Sequence, residues 1–325
     1  MAFHIRPDES TADGLRRLAR KELASARNNL ERTEQPSQDA IHEARKSVKK
    51  VRAIVEVVKT DKGHVLKGDR KRLRAVNRVL SRSRDADVLN ETLSKLLDRR
   101  PALLSEHTRA RLRLQLSSYR DAVAQAADRD DAWDDLVNEL RDVRAHVKRW
   151  SPAHEQFEAL ARGLRATHKR GRKAMTRALE SRRAADFHEW RKEMKALWYQ
   201  LRLLEEAGQA IQRDVKRLHD AEAWLGDDHN VVVLCAHISS TRSCALDAFD
   251  VQRFSRHAEQ YEERLRRKAI ARAGSIYRTG TRTYVRRIER TWKGWTRQSR
   301  APAENEGGAR PRRVPRLSMP RRPRT

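Results

Sequence analysis

Aromatic residues make up only 5% of this 325-residue chain. That leaves few platforms on which the bases of a single strand could stack. There are two cysteines, Cys235 and Cys244, nine apart. This is neither a CxxC pair nor a disulfide framework, so a reducing cytosol is the expected compartment. No run approaches 18 uncharged apolar residues, and the opening MAFHIRPDES has no apolar signal core. A cytoplasmic chain without a membrane partner is the expectation. Strand signals are nearly absent. The short run NVVVLC at 230–235 is β-branched, but it continues the helical spacing of Leu218 and Leu225. Catalytic signatures are missing as well: the sequence has no Walker loop, GxSxG or HExxH, and its twelve histidines make no HxxxH or ExxH pair.

Proline is scarce where structure is expected. Five of nine prolines lie in the last 25 residues, APAENEGGARPRRVPRLSMPRRPRT. Residues 301–325 read as a disordered Arg/Pro-rich tail. Pro7, Pro36, Pro101 and Pro152 fall between periodic segments, where proline can start a helix but not continue one. The first segment, 10–32, opens on STADGLRRLARKEL with a capping Ser or Thr. Further helices are predicted over 37–60, 65–98, from Pro101 onward, and over 132–150, 153–182, 185–206, 210–245, 247–272 and 273–298. The fold class is all-α.

What the chain has in excess is positive charge. Lys and Arg number 73 against 45 Asp and Glu, a net +28. The tail contributes +5, from seven Arg and two Glu, so +23 stays with the folded part. Such a field attracts nucleic acid, polyphosphate or an anionic surface.

It also has a repeat. IHEARKSVKKVRAIVEVV, 41–58, aligns with FHEWRKEMKALWYQLRLL, 187–204, at an offset of 146. His, Glu, Arg, Lys and a later Lys are identical, and the apolar positions correspond. The next segments, DRKRLRAVNRVLSRSRDADVL (69–89) and DVKRLHDAEAWLGDDHNVVVL (214–234), align at 145. A weaker match sets HKRGRKAM (168–175) over YRTGTRTY (277–284). A duplication giving two pseudo-symmetric antiparallel bundles of about four helices each is the natural reading. The halves are expected at 1–183, with one extra helix, and 184–300.

On a helix, Ile41, Ala44, Val48, Val51, Val55 and Val58 form an apolar stripe. One residue on runs a second stripe: His42, Arg45, Lys49 and Arg52, with Lys46 beside it. The other copy pairs Phe187, Trp190, Met194, Leu197, Leu201 and Leu204 with His188, Arg191, Lys195 and Arg202, and with Lys192 beside them. There Trp198 replaces a cation. A cationic seam of this length spans about 15 Å and suits a row of phosphates. Phosphate would also hold the histidines protonated. A solvated basic face explains one such helix, but not charges that repeat with the core. The following helices add Arg70, Lys71, Arg74 and Arg78 in one half and Lys216, Arg217 and His219 in the other. Asp85 and Asp87 read as structural partners of nearby cations.

The His-led helix followed by LxxxNxxLSRSRDADVL, repeated as FHEWRKEMKALWYQLRLLE and LHDAEAWLGDDHNVVVL, resembles the CHAD domain, the conserved histidine α-helical domain. The resemblance covers nearly all of residues 10–298. It implies two pseudo-symmetric bundles around a basic groove or pore, inorganic polyphosphate as ligand, and in some members residence on polyphosphate granules. The family's histidines match His42 and His188. Its cations match Arg45, Lys46, Lys49, Arg52, Arg191, Lys192 and Lys195. Its usual Arg-Tyr pair is Trp198-Tyr199 here, so Tyr199 is kept and one basic contact is not. The ExExK motif of the triphosphate tunnel domain, often fused to this family, is absent.

The expectation is thus a stand-alone polyphosphate-binding module. It needs no cofactor, although a divalent cation bridging phosphates stays open. Two alternatives remain: a non-specific nucleic-acid binder, and a phosphohydrolase acting on polyphosphate or triphosphates.

Overall fold

The computed structural model describes residues 3–31, 36–58, 64–128, 132–150, 156–240 and 246–300. Its elements are ten α-helices and three short 3-10 turns, with no strand among the described residues. The first five helices are α1 (Thr11–Leu30), α2 (Gln38–Val57), α3 (His64–Arg99), α4 (Glu106–Asp128) and α5 (Ala132–His146). The second five are α6 (Glu158–Ser181), α7 (Ala184–Arg202), α8 (Gln209–Ser240), α9 (Ala248–Arg278) and α10 (Thr281–Arg300).

Local chemistry sets several of the boundaries. Ser10, Ser37 and Asp247 cap α1, α2 and α9, each side chain accepting from the backbone N–H three residues on. Pro101 opens a 3-10 turn, Pro101–Leu103, rather than the α-helix expected there. α4 begins only at Glu106, after the Ser105 hydroxyl accepts from the Thr108 N–H. The expected break between 272 and 273 lies in fact at Thr279–Gly280. Ala269, Ala273, Ile276 and Tyr277 are one buried stripe, so residue 273 sits inside α9. NVVVLC lies within α8, with Val231 and Leu234 buried.

The contact pattern is duplicated. α1 packs on α2 and α5, α2 on α3, and α3 on α4. α6 packs on α7 and α10, α7 on α8, and α8 on α9. By these neighbours α6 stands to α7 as α1 stands to α2. The expected division at 183/184 counted α6 with the first half, whereas its main contacts lie in the second. The two weakly matched segments, 168–175 and 277–284, are packing partners: His168 on α6 stacks on Tyr277 and Tyr284 at 5.5 and 4.3 Å. Gly171 lies so close to the Tyr277 ring that a Cβ there would collide with it.

One apolar core runs through both halves and takes in the apolar stripes of α2 and α7 completely. Trp190 and Phe187 are fully buried, and each large apolar side chain removed from water contributes on the order of 1.5–3 kcal/mol. A second core gathers Leu89, Leu93 and Leu96 of α3 with Val231 and Leu234 of α8, helix α4 and α9. α3 and α8 therefore each serve two purposes. Their distal parts join the second core, and the parts nearer their N-termini face the cationic seams.

Candidate functional site

The stripes laid down by sequence spacing converge on one cleft of about 750 Å³. α2 contributes Arg45, Lys49, Arg52 and Glu56, one turn or two apart. α3 contributes Arg70, Arg74, Asn77 and Ser81 by the same rule. From the second half, α7 supplies His188, Arg191, Lys192, Lys195 and Tyr199, and α8 supplies Glu222, Gly226, Asp227, His229 and Asn230. Eight Lys or Arg side chains thus face three carboxylates.

The two walls are neutralised unequally. Arg191 Nη2 lies 2.9 Å from Glu222 Oε1, its Nε donates to the Glu222 backbone oxygen at 3.4 Å, and Lys195 donates to the same carboxylate. Burial pushes the Glu222 carboxyl up, but Lys195 and Arg191 outweigh it and hold it below the usual carboxylate value. On the first wall, Arg70 pairs with Glu56 at 3.5 Å. Lys49, Arg52 and Arg74 enter no ion pair among the described residues. Burial, then the charges of Arg45, Lys195 and Arg191, depress Lys49 to about 6, with Glu222 opposing. Burial also presses Arg52 down, with Arg74 adding to it.

His188 packs its ring 3.9 Å from that of His229. Burial, then His229, Lys192 and Arg191, lower it to about 4. Its buried Nδ1 has no hydrogen-bond partner among the described residues. The Tyr199 hydroxyl is held well above the usual tyrosine value by burial.

Eight residues expected at the site do not line this cleft. His42 lines an adjoining pocket of about 250 Å³ with Gln38, Asp39 and Glu91, and that pocket shares Arg45 with the cleft. Lys46 points outward and pairs with Glu43 at 2.6 Å. Lys71, Arg78 and Lys216 are exposed away from the cleft. Arg217 reaches Asp214 at 4.0 Å. Arg202 sits 5.2 Å over the Trp198 ring, and His219 stacks on the same ring with centroids 5.0 Å apart. The Trp198 substitution thus ends the second seam early, because it collects Arg202 and His219 around itself. The side chains of Asp85 and Asp87 lie outside the described residues.

Sequence reasoning missed Glu56, Asn77, Ser81 and the α8 contribution around Glu222, Gly226, His229 and Asn230. A search for cations passes over them. The signal was the four-residue spacing of Glu222, Gly226 and Asn230, which gives one face of α8. No group of three or more His, Cys, Asp or Glu that could hold a metal ion occurs among the described residues. None of the described helices is long and apolar enough to cross a membrane.

No curated protein matches the sequence. The fold is similar to the crystal structure of the CHAD domain from the plant Ricinus communis. The TM-score is 0.54 at 15% identity, over 89% of this chain and 95% of that one. The sequence model of the CHAD domain matches residues 17–239. Every residue that lines the cleft falls inside that span, and on this ground the chain belongs to the CHAD domain family.

Proposed function

We propose that the cleft binds inorganic polyphosphate, and that the protein is a binding module rather than a catalyst. One observation carries the reading: cations from α2, α3 and α7, drawn from both repeats, face one another across a single cleft. A surface spread of the same charge would favour any polyanion. A cleft lined on two sides suits a thin, flexible chain with a charge on every unit, and Arg gives paired donors matched to phosphate oxygens. A role in bringing the protein to polyphosphate granules follows from the same chemistry.

Competition tests this. Labelled long-chain polyphosphate should stay bound in physiological salt when duplex or single-stranded DNA is added in excess, and ATP should compete weakly. Equal competition by DNA would move the assignment to general nucleic-acid binding. Steady release of orthophosphate from polyphosphate or a nucleoside triphosphate, lost in a His42→Ala, His188→Ala double variant, would make the protein a hydrolase.

A further inference from the structure

Among the positions at which the halves of the repeat differ, one sets a carboxylate against the conserved cation pair of the second half only. At the offset of 145 that aligns α3 with α8, Asn77 corresponds to Glu222. Both line the cleft. Arg45 and Lys49 correspond in the same way to Arg191 and Lys195 at the offset of 146. In the second half the carboxylate is buried and holds both cations. In the first half a neutral amide occupies that place, and Lys49 has no ion-pair partner among the described residues.

We propose that Glu222 is an internal counter-ion that fixes where a polyanion sits: it satisfies Arg191 and Lys195, so the phosphate chain docks on the first-half wall of Lys49, Arg52 and Arg74. This rests on the polyphosphate reading of the cleft. A buried carboxylate already held by two cations fills the place that a phosphate would take, and a second anion there meets its repulsion. Among the described residues no carboxylate comes within ion-pair distance of Lys49, Arg52 or Arg74; Glu56 is paired with Arg70 at 3.5 Å and acts on Arg52 only through its field, as Glu222 does on Lys49. The cleft is therefore polar along its width, and the loss of cations at Trp198, Val215 and His219, which align with Arg52, Arg70 and Arg74, acts in the same direction. Glu222 is a positioning residue, since it acts on the ligand through Arg191 and Lys195.

The experiment exchanges the charge between the repeats. Polyphosphate binding is measured for the full chain, for Glu222→Gln, for Asn77→Glu and for the double exchange, each with Lys49→Gln or Lys195→Gln added, alongside thermal melts. Glu222→Gln should melt earlier yet bind about tenfold tighter, the worth of freed charge-assisted contacts. Its affinity should also fall more steeply with salt. Asn77→Glu should weaken binding by a similar factor. Lys49→Gln should cost more than Lys195→Gln in the parent chain, and the order should reverse in the double exchange. A purely structural Glu222 would lower melting temperature and affinity together and leave that order unchanged, which would overturn the inference. Equal losses from Lys49→Gln and Lys195→Gln in the parent chain would do the same. A parent chain that binds no polyphosphate at all would overturn the reading of the cleft itself, and this inference with it.

Discussion

Lys49 is a half-buried lysine among like charges. Arg45 and Arg52 flank it on α2, Arg191 and Lys195 face it from α7, and Arg74 and Asn77 line the same cleft from α3. The Glu222 carboxylate on α8 is engaged by others. With its value near 6, Lys49 is mostly neutral at pH 7.5, and an anion bound against it restores its proton. Polyphosphate binding should therefore take up a proton, and affinity should fall by up to about tenfold per pH unit above pH 6. Calorimetric titration in two buffers of different ionisation enthalpy checks this, and Lys49→Arg should flatten the profile. The stability consequence has a definite sign. Between about 6 and the ordinary lysine value of 10.5, the unfolded chain holds a proton that the folded chain does not. Stability thus rises with pH through that window, and unfolding midpoints at pH 6.5 and 8.5 should show it. At this scale the sequence revealed the cations but not their pairing. Lys49 and Lys195 are equivalent in the repeat, and only the neighbour across the helix pair separates them. That neighbour also governs the choice of variant. Lys195→Glu would set a second carboxylate against buried Glu222, whereas Lys195→Gln removes the charge without that repulsion.

Helices α2 and α7 show how much an amphipathic pattern can specify. Their 3–4 apolar spacing gave the buried stripe in full, from Ile41 to Val58 and from Phe187 to Leu204. Because a helix turns about 100° per residue, the seam of cations beside that stripe had to emerge next to the core. What the pattern did not give was the partner each helix packs on. α6 shows the difference. Its spacing predicts a helix, but its contacts with α7 and α10, and also with α2, come from the tertiary arrangement. At its crossing with α2, a Cβ on Gly163 would stand 2.8 Å from the Val57 Cα, a backbone atom that cannot swing away. Gly163→Ala should destabilise the protein by about 1–3 kcal/mol through this overpacking, despite alanine's better helix propensity. Chemical denaturation of the variant checks the magnitude, and a neutral or stabilising result would mean that the crossing is looser than described.

For the whole molecule, the net charge of +28 is spread widely, and most of it does not line the cleft. Surface pairs such as Lys46–Glu43, Lys192–Glu189 and Arg72–Glu139 neutralise part of it and contribute little to stability individually. The cleft's share should dominate specific binding. A Lys49→Gln, Lys195→Gln double variant should lose polyphosphate affinity by at least about tenfold, from the loss of charge-assisted contacts, while its far-ultraviolet dichroism stays unchanged. Deleting 301–325 should leave that affinity within about threefold and reduce only weak, salt-sensitive binding to nucleic acid. If the deletion alone abolished polyphosphate binding, the tail would be the site.

By itself the sequence determined the helical class, the duplication, the buried stripes and the cationic seams, because all four are written in spacings along one chain. Helix periodicity converts such spacings into faces without reference to anything distant. The tertiary structure alone decided which faces meet. It separated His42 from the cleft that His188 lines, drew His219 of α8 to Trp198 of α7, and brought Glu222 between Arg191 and Lys195. Each of these depends on how different helices are set against one another, and the electrostatic weight of the Glu222 pairings comes from burial, which no local pattern states.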